Sequence, residues 1–164
     1  MFNRVFFFFL AVFSGASFFQ SCEQEESMMS DQLQLRFPYG EWKFEGFATH
    51  ANEAAYKNNK GDYSVSKLDV ASPLLLHLKK DGMFSGNTPV NTIHGDYTFH
   101  GSRGTFAFTT IESTDMKELP DGTRYIACFK VVNSYAVFEK TLHLYYEDKS
   151  RFLLFTAVEK EAAR

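Results

Sequence analysis

The 164-residue sequence has little cysteine, tryptophan and proline, and it lacks the marks of several large protein classes. It contains 2 Cys, 1 Trp and 4 Pro. Two cysteines cannot build a disulfide-rich scaffold, and no apolar run approaches the roughly 20 residues that a membrane-spanning helix needs. Acidic residues outnumber basic residues, 20 to 17, so the basic surplus of nucleic-acid-binding proteins is missing. We therefore expect a folded domain that does not bind nucleic acid.

Patterns that mark catalytic and metal sites are also missing. The sequence has no Gly-x-Ser-x-Gly motif, no phosphate-loop spacing and no histidine pair at a metal-ligand spacing with a carboxylate. His77 and His143 each lie between two leucines in predicted strands, so alternation turns both toward solvent. Cys128 lies on the inner face of a predicted helix, where a thiol acts as a small hydrophobe. We expect no enzyme activity, no metal and no cofactor; an enzyme would instead show a perturbed acid or base near His94 or Asp96.

Residues 1–21 have the pattern of a secretory signal peptide. A basic residue is followed by a short apolar run and then by small residues. The pair Ser21-Cys22 resembles the processing site of bacterial lipoproteins, in which the cysteine becomes the lipidated first residue. Phe19 departs from the leucine that is usual at its position, and the alternative is an ordinary secreted protein with a free thiol. We predict a lipid anchor on Cys22, which makes the membrane the first partner.

Residues 22–37 predict a disordered tether between this anchor and the fold. Glu23, Glu25 and Glu26 follow the cysteine, and no basic residue occurs before Arg36. In the Bacteroidetes, an acidic patch at this place resembles the signal that sends lipoproteins to the outer face of the outer membrane. The alternative is a plain solvated spacer. The first interpretation predicts an outer-membrane, lipid-anchored protein that is exposed at the cell surface.

The remaining chain, residues 38–164, predicts one mainly β domain. Alternating apolar residues predict a strand at 41–45, a hairpin that turns at Asp81-Gly82, a second hairpin around 101–104 and three antiparallel strands at the C-terminal end. Apolar residues at a spacing of three to four predict one short amphipathic helix at 123–133. The prediction is seven or eight strands in a curled, barrel-like antiparallel sheet around an aromatic core.

Two segments interrupt this pattern. Residues 49–72 are polar and predict a long mobile excursion with a helical turn near 53–56. Tyr56 and Tyr63 are candidates there for a recognition surface, and an insertion without function is an equally good alternative. Residues 82–97 predict a strand, an irregular crossing and a second strand.

Several short motifs follow one another in a characteristic order between residues 41 and 158. They are Trp42 in the first strand, Gly86 after the turn of the first hairpin, Asn91, the Gly95-Asp96-Tyr97 triplet, and Ser113-Thr114-Asp115-Met116 before the helix. In this order and spacing the chain resembles the META domain, the family of the bacterial heat-inducible lipoprotein HslJ. The resemblance implies structural roles for Trp42, Gly86, Asn91, Gly95, Tyr97, Ser113 and Thr114. The plainest role of Asn91, Ser113 and Thr114 is to bond neighbouring backbone groups.

The chain departs from the family at two positions. Family members often have one cysteine immediately before the motif asparagine and another two residues after the motif methionine, whereas this chain has Val90 and Glu118. Their joint absence suggests that the two cysteines form a pair in other members. No redox function therefore carries over to this chain.

The resemblance implies a membrane-anchored, non-enzymatic lipoprotein of the cell envelope. We expect it to bind or scaffold an unknown envelope protein or ligand, or to support envelope stress tolerance. The runner-up is a lipocalin-like carrier of a small apolar ligand, since a curled sheet could enclose a cavity. That hypothesis fails if Trp42, Phe99, Phe106 and Phe108 fill the interior and leave no cavity of roughly 300 Å³.

Overall fold

A computed structural model describes residues 37–52, 62–147 and 149–159. The predicted signal peptide, Cys22, the three glutamates after it and the predicted helical turn at 53–56 lie outside the described residues. Within the described ranges, no helix is long and apolar enough to cross a membrane.

The described chain forms nine strands and one α-helix. Strands β1 to β9 span Gly40–His50, Tyr63–Ser66, Leu75–Leu78, Met83–Asn87, Thr92–His100, Thr105–Ser113, Val132–Phe138, Thr141–Tyr146 and Arg151–Ala157, and helix α1 spans Pro120–Phe129. The strands pair antiparallel in the order β2-β1-β3-β4-β5-β6-β7-β8-β9, and β1 also pairs with β9. The sheet therefore curls until its ends meet, which confirms the predicted mainly β, curled antiparallel fold.

Strand β1 closes the curled sheet because it pairs with three other strands. Its first half pairs with β3, its second half pairs with β2 on the same edge, and β9 runs along its opposite edge. The register with β9 shifts between Phe44 and Gly46, and this bulge bends the strand between its two halves. Trp42 and Phe44 point into the core, as their alternation with charged residues predicts.

Helix α1 fills the space inside the curl where the strand pairing is weakest. Strands β6 and β7 share a single bridge, Thr105 to Ser134. The helix inserts Tyr125 and Phe129 into the core, and Phe129 stacks on Phe108 with ring centroids 4.4 Å apart. The predicted helix at 123–133 lies about three residues too far along the chain. Pro120 begins the helix, as proline favours the first turn, and the inward position of Val132 belongs to β7.

The irregular crossing predicted within residues 82–97 is wrong, because this segment is a β-hairpin. Strands β4 and β5 pair from Met83 opposite Asp96 to Asn87 opposite Thr92. Residues 88–91 make the turn, closed by a 2.8 Å hydrogen bond from the Thr88 N–H to the Asn91 carbonyl. The turn contains no glycine, so it lacks the Asn-Gly or Asp-Gly signal of a tight hairpin.

The excursion predicted at 49–72 also contains regular structure. Strand β1 continues to His50, and β2 lies inside the segment and pairs with β1 through Tyr63 opposite His50. The sequence of β2, Tyr-Ser-Val-Ser, alternates over only four residues, which is too short for a clear strand signal.

The prediction that His143 faces solvent is wrong, whereas His77 is exposed as predicted. His143 is 5% exposed because the outer face of this part of the sheet carries a second apolar cluster, formed by Ala48, Tyr145, Phe152 and Leu154. Alternation does turn His143 away from the main core. It cannot show that the opposite face is covered as well.

Candidate functional site

Asn91 is the centre of a buried hydrogen-bond network at one end of the sheet. Its side-chain Oδ1 accepts from Thr114 Oγ1 at 2.8 Å and from the Met116 N–H at 3.0 Å. Its Nδ2 donates to the Met116 carbonyl at 3.0 Å and to Glu118 Oε2 at 2.9 Å. The residue is 4% exposed, so these bonds satisfy an amide that has little access to water. The network fastens the β4–β5 turn to the segment between β6 and α1.

Glu118 extends the network toward the start of helix α1. Its Oε2 accepts from Thr88 Oγ1, and its Oε1 accepts from the Leu119 N–H at 3.0 Å. A Cβ on Gly122 would lie 2.2 Å from Glu118 Oε1, so glycine in the first helical turn leaves the space that the carboxylate occupies. The Val90 N–H donates to the same Thr88 hydroxyl at 3.3 Å. Val90 and Glu118, the two positions at which the family resemblance implies cysteine, therefore both form hydrogen bonds with Thr88.

The other predicted motif residues lie along the β4–β5 hairpin and its neighbours. Trp42 donates from Nε1 to the Pro38 carbonyl at 2.7 Å, and Tyr97 donates from its hydroxyl to the Lys79 carbonyl at 2.5 Å. Burial raises the pKa of Tyr97 well above its ordinary value. A Cβ on Gly86 would lie 2.5 Å from the Leu75 carbonyl oxygen, and one on Gly95 would lie 2.0 Å from that of Thr110. Because glycine has no Cβ, Gly86 lets β4 lie close to β3, and Gly95 lets β5 lie close to β6.

Of the two predicted hydroxyl residues on the 113–116 motif, only one reaches Asn91. Thr114 bonds to it directly and accepts a 3.2 Å hydrogen bond from the Thr92 N–H. Ser113 is exposed and donates to the Thr114 carbonyl at 3.1 Å. The structure therefore brings Asn91 and Thr114 together and leaves Ser113 at the surface.

A row of polar side chains crosses the outer face of the sheet near this network. Strand register aligns one residue from each of five neighbouring strands, in the order Glu41, His77, Ser85, His94 and Glu112. Each of the five has a sequence neighbour that packs in or against the core on the opposite face, namely Trp42, Leu76, Phe84, Ile93 and Ile111. At one end of the row, His94 Nε2 lies 3.0 Å from Glu112 Oε2, and both side chains are more than half exposed.

An open groove of about 460 Å³ runs over four members of this row, all except Glu112. Leu75, Asn87, Thr92 and Ile93 complete much of its lining. The groove therefore offers imidazole, hydroxyl, amide and carboxylate groups beside a small apolar surface. This combination suits recognition of a polar ligand that also has an apolar part.

Sequence reasoning missed this groove because it missed the turn at 88–91. The Asp81-Gly82 hairpin places His77 opposite Ser85, and that signal was available. His94 joins the row only when β5 is recognised as the hairpin partner of β4. No cluster of three or more histidine, cysteine, aspartate or glutamate side chains in the described ranges is arranged to hold a metal ion.

Cys128 is buried in helix α1 against the core, at 8% exposure. Desolvation raises the pKa of its thiol, and a hydrogen bond with Tyr146 lowers it by a smaller amount. A buried thiol with a raised pKa is a poor nucleophile at neutral pH.

The fold and the site define a small β domain in which a curled antiparallel sheet contains a buried asparagine network and packs around one helix. The sequence model of the META domain matches residues 31–159, and the chain belongs to the META domain family. This confirms the family resemblance seen in the motifs.

Two solved structures share the fold. One is a DUF4847 family protein from Bacteroides vulgatus ATCC 8482, with a TM-score of 0.59 and 18% identity over 76% of this chain and 96% of that chain. The other is a protein from Burkholderia xenovorans, with a TM-score of 0.54 and 18% identity over 79% of this chain and 88% of that chain. A comparison with curated proteins found no match.

Proposed function

We propose that this META domain protein is a non-enzymatic lipoprotein of the cell envelope, anchored through Cys22, that binds an envelope component at the outer-face groove. The family membership over residues 31–159 is the observation that carries the proposal. The lipidation motif supports the anchor, and the acidic residues after it support display on the outer membrane. Because fold alone does not define activity, the groove is the basis for the binding role.

The packing of the core favours this function over a carrier of small apolar ligands. Phe106 stacks on Tyr97 with ring centroids 5.2 Å apart and contacts Phe108 edge-on at 5.0 Å. Tyr125 from the helix packs 4.8 Å from Phe44. Rings from both sides of the curl thus meet in its interior, where a lipocalin-like carrier would hold its ligand.

The groove supports binding because its polar groups are presented on rigid strands. His77, Ser85 and His94 occupy matched positions on three paired strands, so their spacing is set by the sheet. The contact between His94 Nε2 and Glu112 Oε2, at 3.0 Å, orients the imidazole at this end of the row. A partner with hydrogen-bonding groups spaced like neighbouring strands, about 4.8 Å apart, would match this row.

The anchor is tested by replacing Cys22 with alanine in the full-length gene and fractionating the cells. We expect the wild-type protein in the membrane fraction and labelled by a palmitate analogue, and the C22A variant unlabelled and outside that fraction. The variant C128A is the matched control, since Cys128 is buried in the domain. Membrane association of C22A equal to that of the wild type would contradict the anchor.

The binding role is tested separately by crosslinking in intact native cells, followed by purification of the full-length protein. We expect the double variant H77A/H94A to lose a crosslinked envelope partner that the wild type and the control H100A both retain. His100 is also exposed, but it lies at the far end of β5, outside the groove. If H77A/H94A crosslinked to the partner as strongly as the wild type, the groove would not be the binding site. That result would not affect the proposed lipid anchor.

A further inference from the structure

The outer face of the sheet carries a second cluster that the proposed function does not use. Phe152 of β9 is fully buried there, and the imidazole of His143 stacks on it with centroids 4.3 Å apart and an interplanar angle of 19°. His50 of β1 packs on the same phenyl ring at 4.8 Å. Two imidazoles thus share one apolar environment, where a charge would be poorly solvated.

Strand β2 covers this cluster with the side chains of Tyr63 and Val65, and Tyr63 makes the contacts with the aromatic and imidazole rings. Tyr63 meets the rings of Phe152, His143 and His50 edge-on, at centroid distances of 5.3, 5.7 and 6.2 Å. The strand has only four residues and pairs only with β1 among the described strands. Its attachment therefore depends on four residue pairs with β1 and on the packing of Tyr63 and Val65 against the cluster.

We propose that β2 is an acid-releasable strap, which detaches from the sheet when the imidazoles beneath Tyr63 become protonated. An imidazolium would be brought into an aromatic cluster next to a second imidazole, and both desolvation and repulsion oppose it. Detachment of Tyr63 admits water to the rings and relieves both costs. The uncovered face would then present Phe152 and Ala48, which are now inaccessible to solvent.

Among the described residues, no carboxylate contacts His143 in a way that would stabilise a protonated imidazole. On its own strand, Tyr145 places its hydroxyl 3.3 Å from His143 Nδ1. Strand β1 contributes His50, β2 contributes Tyr63, and β7 contributes Phe138, whose ring lies 4.9 Å away. The acidic group on this face of β1, Glu45, is bonded to Lys43 and to Thr156 of β9.

The direction of the pH effect follows from the proton affinities of the two states. Burial, with a smaller contribution from His50, lowers the pKa of His143 from 6.5 to about 4, and burial lowers that of His50 as well. The detached state therefore binds protons between pH 6.5 and 4 that the attached state does not bind. By pH 4, His143 alone shifts the equilibrium toward detachment by up to about 150-fold, and attachment is strongest above pH 6.5.

Amide hydrogen exchange of the full-length protein tests the strap directly. Exchange of residues 63–66 is measured by mass spectrometry from pH 7 to pH 4, corrected for the intrinsic effect of pH, in the wild type, H143F and the control H100F. We expect β2 in the wild type and in H100F to lose protection by at least tenfold as the pH falls, while β4 and β5 remain protected. In H143F, most of that loss should disappear, because phenylalanine cannot take up a proton.

Three results would overturn the strap. The first is that β2 in the wild type keeps its protection from exchange down to pH 4. The second is that β2 in H143F loses as much protection as β2 in the wild type. The third is that the whole sheet loses protection while Trp42 fluorescence changes, which would indicate global unfolding. If H143F does not fold, an NMR titration of His143 in the wild-type protein replaces it. The proposal would then be rejected if the imidazole of His143 titrated near pH 6.5, or if its titration midpoint did not coincide with the loss of β2 protection.

Discussion

The side-chain amide of Asn91 and the carboxylate of Glu118 are joined by a 2.9 Å hydrogen bond that links a hairpin turn to the entrance of the only helix in the described chain. The two residues are 27 positions apart in sequence. Their bond belongs to a network in which the same asparagine also binds both backbone groups of Met116. The network therefore joins two segments that are distant in sequence through several buried hydrogen bonds.

Replacing Asn91 with alanine is expected to destabilise the domain by about 3 kcal/mol, because several buried partners lose their hydrogen bonds at once. Chemical denaturation followed by Trp42 fluorescence measures the change. The matched control is Asn133→Ala, which removes an exposed amide bonded to the Glu147 carbonyl and should cost less than about 1 kcal/mol. Equal losses in the two variants would show that the Asn91 network adds nothing special.

Replacing Gly95 with alanine is expected to cost more than about 3 kcal/mol, since the strands β5 and β6 would have to separate. The new Cβ would lie 2.0 Å from the Thr110 carbonyl oxygen, and the backbone φ is +155°. Gly104→Ala is the control. Its φ of +63° carries a strain of about 1 kcal/mol, but the nearest atom to the new Cβ is 3.5 Å away. A melting temperature for G95A equal to that of G104A would contradict the close approach at Gly95.

Two tyrosine-to-phenylalanine substitutions should have opposite effects on the free energy of unfolding. The hydroxyl of Tyr125 is fully buried and has no hydrogen-bond partner in the described part of the structure, so Y125F should stabilise the domain by about 1 kcal/mol. The hydroxyl of Tyr97 donates to the Lys79 carbonyl, so Y97F should destabilise it by a similar amount. Urea denaturation of both variants and the wild type gives the sign of each change in the free energy of unfolding. A loss of stability in Y125F would indicate a hydrogen-bond partner for the Tyr125 hydroxyl.

The thiol of Cys128 should react slowly with a disulfide reagent in the folded protein. Burial and the raised pKa keep the thiolate scarce, and both effects vanish on unfolding. We expect the labelling rate of the C22A protein at pH 8 to rise by more than about 100-fold in denaturant. A cysteine placed at exposed Ser102 in the same background is the control, and it should react rapidly in the folded state. Rapid labelling of Cys128 without denaturant would contradict its burial.

The local parts of the fold could be predicted wherever a short pattern decides the structure. The Asp81-Gly82 turn, the 101–104 hairpin and the C-terminal meander carry strong turn residues or clean alternation, and the structure confirms all three. The turn at 88–91 has no glycine signal, because the Thr88 hydroxyl and the Thr88 N–H close it through hydrogen bonds with the backbone of Asn91.

The candidate site could not be predicted because it depends on contacts between distant strands. The row from Glu41 to Glu112 requires the register of five strands, and one misread turn removes His94 from it. His143 was misassigned for a related reason. Alternation gives the face of a strand on which a side chain lies, but the contact with Tyr63 is 80 residues away in sequence and leaves no periodic signal.

The pairing of β1 with β9 also determines when the sheet can be completed during synthesis of the chain. Residues 42–49 pair with residues 151–157, so one edge of the first strand stays unpaired until almost the whole domain has been synthesised. Contacts so far apart in sequence form slowly, because a long loop must close first. An open β edge can pair with another chain, so the earliest part of this domain to be made is exposed longest to such pairing. Truncation before Arg151 would deprive both β1 and β8 of a neighbour.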